Sequence, residues 1–157
     1  MRAGIALGSN LGDRHAFLNQ AILNLKGLHE RGEFLASSFL ETEPQDCPPG
    51  SPAFLNAVVE LQTSLTPLLL LDCLQAFEIE ASRSRDHGFH TPRTLDLDIL
   101  YCNDLTFECP RLQLPHPRIR ERYFVLKPLT EIRPDLILPG WSYRCDYYLL
   151  KLYKNNN

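Results

Sequence analysis

The run Pro92–Leu100 constrains the fold most, because apolar and acidic residues alternate along it. Successive side chains of a strand point to opposite faces, so the apolar positions are predicted to share one face: Leu95, Leu97 and Ile99. Asp96 and Asp98 then share the other face, about 6–7 Å apart along the strand. Two carboxylates at this spacing can hold Mg²⁺ against the phosphates of a substrate. The same alternation is also typical of a half-buried strand whose polar face meets water.

Length and composition limit the classes of protein to consider. The chain has 157 residues, so 1–157 is predicted to be a single domain, and its 44% hydrophobic and 22% charged residues are typical of a soluble globular protein. A net charge of −3 argues against a nucleic-acid partner. The longest apolar run, Leu68–Leu71, is too short to cross a membrane. The five cysteines form no CxxC pair and no signal peptide is recognised, which predicts a cytoplasmic protein with reduced thiols.

Strand and helix patterns interleave along the chain. Strands are predicted at 2–7, 34–42 and 54–63, with short strands around Thr106 and Leu112 after a hairpin turn at 103–104. Helices are predicted from Asp13 to about Leu28, from Pro67 to about Ala81, at 122–132 with Pro128 near a turn or kink, and at 141–153. Loops are expected at 43–52 and 82–91. This order predicts an α+β sandwich and not a doubly wound sheet.

Asn56 and Phe54 share the polar face of the strand at 54–63. The amide of Asn56 has two donors and an acceptor suited to the edge of a heterocycle, and an aromatic neighbour can stack on its ring. A buried amide satisfied by the protein itself is the alternative interpretation.

Basic residues cluster near the acidic strand. Glu78 is followed by Arg83, Arg85 and Arg93, and guanidinium groups bind phosphates bidentately and can arrive with a closing loop. Solvated surface charge would explain the same arginines. His116 lies between two prolines. Its ring could donate a hydrogen bond to a phosphate, or the residue could have a structural role.

Several motifs together resemble the 6-hydroxymethyl-7,8-dihydropterin pyrophosphokinase family. The resemblance covers nearly the whole chain in order, and its most specific part is Pro92–Ile99. The other matching segments are Ala6–Gly12, Glu41–Pro44, Phe54–Ala57, Gln75–Glu78, Arg83 with Arg85, Leu114–Pro117, and Arg122, Phe124, Pro128 and Leu129.

The resemblance implies a fold and a reaction. The fold would be a ferredoxin-like sandwich, a mostly antiparallel sheet flanked by helices, in a monomer. The reaction would transfer the pyrophosphoryl group of ATP to 6-hydroxymethyl-7,8-dihydropterin and release AMP, in folate biosynthesis. Two Mg²⁺ ions would accompany ATP, and the domain could be fused to, or act beside, another folate enzyme.

The resemblance also implies residue roles. Asp96 and Asp98 would bind both metal ions, with Asp96 also beside the substrate. The predicted nucleotide-binding residues are Glu78, Arg83, Arg85, Arg93, Ile99, His116 and Arg122. The predicted pterin-binding residues are Thr42, Pro44, Phe54, Asn56 and Phe124, with the two phenylalanines sandwiching the ring. The predicted catalytic residues are Arg83, Arg93, Asp96, Asp98 and Arg122.

One departure from the family pattern concerns the loop before the acidic strand. Many members carry Trp-Gly where this chain has His90 and Thr91. Our hypothesis is that His90 or Phe89 covers the closed site instead. Two other functions remain open on the sequence: another Mg²⁺-dependent phosphotransferase or phosphohydrolase, and a non-enzymatic ligand-binding domain of ferredoxin-like fold. Also open is whether Asp98 or a metal-bound water removes the hydroxyl proton.

Overall fold

A computed structural model describes residues 1–43, 49–83 and 94–156, with the main chain alone for Arg83. The described strands are β1 (Arg2–Ser9), β2 (Leu35–Ala36), β3 (Leu40–Thr42), β4 (Phe54–Gln62), β5 (Asp96–Cys102), β6 (Phe107–Cys109) and β7 (Leu112–Leu114). The described helices are α1 (Arg14–Leu28), α2 (Pro67–Arg83), α3 (Tyr123–Ile132) and α4 (Cys145–Asn155), with a 3₁₀ turn at Ile119–Glu121. None of the described helices is long and apolar enough to span a bilayer.

The main sheet is antiparallel and has the order β2-β4-β1-β5, with β3 also paired to β4. β6 and β7 form a separate hairpin. The chain order β1-α1-(β2, β3)-β4-α2-β5 is the βαββαβ order of a ferredoxin-like fold. Residues of α1 and α2 bury one face of the sheet, and residues of α3 and α4 bury the other. The predicted α+β sandwich is therefore confirmed.

The first two helices begin where the sequence predicts. The Asp13 carboxylate accepts a hydrogen bond from the main-chain N–H of Ala16 at 3.0 Å, which satisfies a first-turn amide of α1. The Thr66 hydroxyl accepts from the N–H of Leu69 at 3.3 Å, and Pro67 occupies the first position of α2. Each of the two helices therefore begins with a side-chain hydrogen bond to one of its first amides.

The two faces of β4 and β5 carry different side chains, as their alternation predicts. The apolar set faces α1 and α2: Leu55, Ala57, Val59 and Leu61 of β4, with Leu95, Leu97 and Ile99 at β5. The opposite face carries Asn56 and Glu60 of β4, and Asp96 and Asp98 of β5. The polar side chains of these two strands, including the predicted site residues Asn56, Asp96 and Asp98, therefore lie on the face that α3 and α4 cover.

A bulge interrupts β5 after its acidic residues. Ile5 of β1 pairs with Ile99, but Gly4 pairs with Tyr101, so Leu100 is an extra residue. Leu100 and Tyr101 consequently both pack towards α3 and α4. A Cβ atom at Gly4 would lie 2.3 Å from the Tyr101 ring, so this position requires glycine.

Three segments differ from the prediction. The strand expected over 34–42 is divided, because the Ser37 hydroxyl accepts from the Val58 N–H at 2.9 Å and the Ser38 N–H donates to the Glu131 carboxylate at 3.0 Å. The last helix begins at Cys145 and not at 141. Pro128 lies inside α3, where it leaves one carbonyl of the preceding turn without its helical donor.

Candidate active site

A cavity of about 410 Å³ lies between the sheet and the start of α3. It brings together most of the predicted pterin-binding residues, both aspartates and one predicted phosphate-binding arginine. The lining residues are Ala6, Leu7, Gly8, Thr42, Glu43, Phe54, Asn56, Asp96, Asp98, Arg118, Glu121, Arg122, Phe124 and Val125.

The floor of this cavity is formed by small residues of the central strand β1. Gly8 pairs with Asn56 on one side and with Asp96 on the other, while Ala6 pairs with Asp98. Asn56 and Asp96 are therefore two strand spacings apart, roughly 9–10 Å. Because β1 contributes no large side chain between them, a ligand can lie on the sheet with one edge at the amide and the other at the carboxylates.

The amide of Asn56 has a fixed orientation. Its nitrogen donates to the Thr42 hydroxyl at 2.8 Å and to the Leu40 carbonyl at 3.4 Å, both on β3. The oxygen lies on the other side, 3.4 Å from where a Cβ of Gly8 would be. Asn56 is only 4% exposed, so the amide is held to present an acceptor over the cavity floor.

We expect Thr42→Val to weaken pterin binding about tenfold, because the isosteric valine removes the acceptor that orients Asn56. The dissociation constant of 6-hydroxymethyl-7,8-dihydropterin would be measured calorimetrically with Mg²⁺ and α,β-methylene-ATP present. Thr42→Ser keeps the hydroxyl and is the matched control. Equal affinities of the valine and serine variants would show that the hydroxyl does not set the amide orientation.

The two aspartates fit a magnesium site. Both are partly exposed and both line the cavity from one face of β5. Among the described residues no group of three or more His, Cys, Asp or Glu side chains forms a metal cage. Two carboxylates without a full set of protein ligands suit Mg²⁺, which keeps several waters and takes further oxygens from phosphates.

Arg122 and Phe124 lie at the start of α3. The guanidinium carbon of Arg122 is 5.7 Å from the centre of the Phe124 ring, within range of a cation–π contact. Phe54 lines the same cavity from β4. The two predicted ring-sandwiching residues are thus placed around one cavity, and their predicted role in stacking stays a prediction.

Glu78 contacts β5 and not the main cavity. Its carboxylate accepts from the Leu97 N–H at 3.0 Å, which ties α2 to the strand segment between the two aspartates. Glu78 also lines a second cavity of about 350 Å³ together with Gln75 and Thr94. Ile99 is 2% exposed in the core beneath the sheet, so its side chain does not line the aspartate cavity. The nucleotide-binding roles of both residues stay predictions.

Hydrogen bonds hold both the main chain and the ring of His116. Its N–H donates to the Leu100 carbonyl at 2.8 Å, and its Nδ1 accepts from the Arg118 N–H at 3.2 Å. Nδ1 is therefore the unprotonated nitrogen, and the proton of the neutral ring lies on Nε2. Burial, followed by the charges of Arg122 and Arg118, lowers the pKa of His116.

This lowered pKa predicts a pH-dependent loss of stability. The folded state resists protonation of His116, whereas the unfolded chain takes up that proton near its ordinary pKa of 6.5. The titration of His116 should therefore leave the free energy of unfolding unchanged above about pH 6.5. Below that, the free energy of unfolding should decrease as the pH falls towards the lowered pKa of the folded state. Urea unfolding of wild type and His116→Gln between pH 8 and pH 5 would measure it. Parallel pH profiles for the two proteins would contradict the prediction.

Some predicted residues lie outside the described part of the chain. They are Pro44, Arg85, Phe89, His90, Thr91 and Arg93, and of Arg83 only the main chain at the end of α2 is described. Conversely, Arg118 and Glu121 line the cavity although the sequence assigned them no role. Their spacing from Arg122 could have predicted this position, because a turn before a helix can place Arg118, Glu121 and Arg122 on one wall of a cavity.

Comparisons with known proteins show the family of this chain. The family model described as 7,8-dihydro-6-hydroxymethylpterin-pyrophosphokinase (HPPK) matches residues 4–134. The 2-amino-4-hydroxy-6-hydroxymethyldihydropteridine pyrophosphokinase of Pseudomonas aeruginosa is 42% identical over 138 residues, covering 88% of this chain and 84% of that protein. The folic acid synthesis protein fol1 of Pneumocystis carinii is 44% identical over 140 residues, covering 86% of this chain but only 18% of that longer protein.

Solved structures show the same fold. The crystal structure of wild-type Plasmodium falciparum HPPK-DHPS with pteroate superposes with a TM-score of 0.75 at 16% identity. The alignment covers 98% of this chain and 42% of that one, so this chain spans less than half the length of that protein. The family model and the bacterial relative together establish that this chain belongs to the 7,8-dihydro-6-hydroxymethylpterin-pyrophosphokinase family.

Proposed function

We propose that this chain transfers the pyrophosphoryl group of ATP to the hydroxymethyl group of 6-hydroxymethyl-7,8-dihydropterin and releases AMP, as a step of folate biosynthesis. The observation that carries the proposal is the shared cavity. In this cavity the amide of Asn56 lies in register with Asp96 across Gly8, and this register supports the proposal. A binding module for a pterin alone would have no need of the carboxylate pair at that distance.

Asn56 binds the pterin edge, and its oxygen is available to a ring N–H or amino group. Phe54 and Phe124 contribute the aromatic walls of the cavity. The hydroxymethyl group then points along the sheet floor towards Asp96 and Asp98.

Asp96 and Asp98 hold two Mg²⁺ ions in this proposal. The metal supplies neutralisation of the negative charge on the polyphosphate. Arg122 lies on the same cavity wall and contributes a fixed positive charge to the phosphates. Arg83, Arg85, Arg93 and His116 complete the proposed nucleotide-binding set, with Glu78 and Ile99 as neighbours.

The reaction is an in-line displacement at the β-phosphorus. The substrate hydroxyl oxygen forms a bond to that phosphorus, the bond from it to the oxygen bridging to the α-phosphate breaks, and AMP leaves with the bridging oxygen. The hydroxyl proton passes to Asp98 or to water. Positioning and charge neutralisation account for most of the catalysis, since the chain has little covalent chemistry to perform.

Product analysis by mass spectrometry tests the reaction. Purified protein would be incubated with ATP and 6-hydroxymethyl-7,8-dihydropterin, once with Mg²⁺ and once with excess EDTA. AMP and pterin diphosphate in equal amounts, formed only with Mg²⁺, are the expected result. ADP or inorganic phosphate as the nucleotide-derived product would indicate a different phosphotransfer, and binding without turnover would indicate a ligand-binding domain.

The proposal extends to the assembly. We infer a monomer with a single domain over 1–157, located in the cytoplasm, where ATP is available. The much longer fol1 relative supports a role beside another enzyme of folate synthesis. Size-exclusion chromatography with light scattering measures the oligomeric state directly.

A further inference from the structure

Three arginines follow His116 at alternate positions and have different surroundings. The guanidinium of Arg120 lies 5.3 Å from the Tyr148 ring and 5.9 Å from the Trp141 ring, so it is held against aromatic side chains of the α4 region. That of Arg122 lies over Phe124. Arg118 differs, because within the described residues its side chain has only Glu121 as a charged partner.

The contact between Arg118 and Glu121 is weak. Their closest atoms, Nε and Oε2, are 3.8 Å apart, and the side chains are 60% and 69% exposed. An exposed ion pair of this kind contributes about 0–1 kcal/mol to stability. A phosphate that binds the guanidinium bidentately is a stronger partner and can displace the carboxylate.

The main chain holds Arg118 at the cavity although its side chain is exposed. Its N–H donates to the His116 ring at 3.2 Å, and its carbonyl accepts from the Glu121 N–H at 3.2 Å. The side chain itself lines the cavity that contains both aspartates. Because its charge contributes to the lowered pKa of His116, the positive potential of Arg118 extends to the ring that is predicted to face the phosphates.

The position of Arg118 on the described cavity wall also favours a use for this arginine. Arg118 and Arg122 both line the cavity that contains Asp96 and Asp98. A polyphosphate entering beside the carboxylates needs cations from the metal and from the wall.

We propose that Arg118 is a further polyphosphate-binding residue of this site, held by Glu121 in the free protein and released to the phosphates when the nucleotide binds. The proposal rests on the proposed function, because it takes ATP as the polyphosphate. It adds a ligand contact made by a residue outside the predicted set, and it gives Glu121 the role of a competing anion.

The test compares nucleotide affinities of Arg118→Ala and wild type by calorimetry with Mg²⁺. The probes are α,β-methylene-ATP, which is not cleaved at the reacting bond, and AMP. Arg118→Ala is expected to weaken the analogue about 10- to 100-fold, the usual effect of losing a hydrogen bond to a charged group, and to leave AMP nearly unchanged. The difference in affinity for the analogue between wild type and Arg118→Ala should become smaller as the salt concentration is raised, because screening weakens an exposed charge contact.

Two further variants isolate the charge. Arg118→Lys should recover part of the affinity, because it keeps the charge but not the bidentate geometry. Glu121→Gln should bind the analogue more tightly than wild type, and this gain should be smaller in an Arg118→Ala background if Glu121 acts by holding Arg118. Arg144→Ala is the matched control, since Arg144 is also an exposed arginine paired with a nearby acid, Asp146, at 2.9 Å.

Each outcome decides the proposal. Wild-type affinity in Arg118→Ala, or an equal loss for AMP and the analogue, would overturn it while leaving the proposed function intact. If wild type fails to bind the analogue at all, the proposed function fails, and the role of Arg118 fails with it. A lowered thermal midpoint in Arg118→Ala, absent in Arg144→Ala, would assign Arg118 a structural role instead.

Discussion

Replacing Asp96 with alanine is expected to lower kcat/KM for pyrophosphoryl transfer by at least about 1000-fold. Asp96 lies at the cavity end of β5, in register with Gly8 and Asn56, where the pterin and the polyphosphate would meet. Its loss removes one of two carboxylates proposed to hold the metal, so charge on the transferring group is no longer neutralised. Steady-state AMP formation at saturating Mg²⁺ measures the effect.

Asp104→Asn is the control for this prediction. Asp104 is exposed just beyond the other end of β5, so its replacement removes a charge at a distance from the cavity. We expect it to retain wild-type kcat/KM. The contradicting result would be an Asp96→Ala protein that is folded and binds the pterin with near wild-type affinity, yet keeps a kcat/KM within tenfold of wild type.

Replacing Arg133 with methionine is expected to lower the free energy of unfolding by about 3 kcal/mol. Arg133 donates to both oxygens of Glu60, at 2.9 and 2.7 Å, and Glu60 is 3% exposed in the layer between the sheet and α3. The Tyr101 hydroxyl donates to the same carboxylate. Methionine keeps the apolar volume of the arginine stem but leaves most of a buried negative charge uncompensated. Such a loss is a large part of the 5–15 kcal/mol typical of a domain.

The exposed pair of Arg144 and Asp146 again provides the comparison. Arg144→Met should cost less than about 1 kcal/mol in the same urea titration. The double variant Glu60→Met/Arg133→Met should lose less free energy of unfolding than the sum of the two single variants. In the double variant neither member of the Arg133–Glu60 pair remains without the other. A loss below about 1 kcal/mol in Arg133→Met would mean that Arg2, 3.2 Å from Glu60, compensates the carboxylate by itself.

The parts of the fold that sequence predicts well are those fixed by local rules. The alternation at β4 and β5 predicts both faces of the sheet, because a strand places side chains with a period of two. The start of α1 follows from Asp13, whose side chain satisfies a helix amide directly. The family resemblance predicted that Asn56 and the aspartates belong to one site. The register explains their proximity, because Gly8 pairs with Asn56 on one side and with Asp96 on the other.

The parts that sequence predicts poorly depend on contacts between distant residues. The break at Ser37 and Ser38 depends on Val58 and Glu131, which lie far along the chain. The spacing of Arg118, Glu121 and Arg122 allows the three residues to share one wall. Whether that wall faces the cavity depends on how the 3₁₀ turn meets the sheet, and a sequence pattern does not contain that angle. The roles of the predicted site residues, including those on the undescribed segments, stay predictions for the experiments above.

The bulge at Leu100 has a consequence for how this enzyme can vary. Upstream of the bulge, β5 presents Asp96 and Asp98 to the cavity, and downstream it presents Tyr101 to Glu60 on the same face. In a regular strand the even-numbered aspartates and the odd-numbered tyrosine would point in opposite directions. Without Leu100, either the two aspartates or Tyr101 could face the cavity side of the sheet, but not both. We expect lineages of this family that keep both features to conserve the residue count between them, even where the residues themselves change.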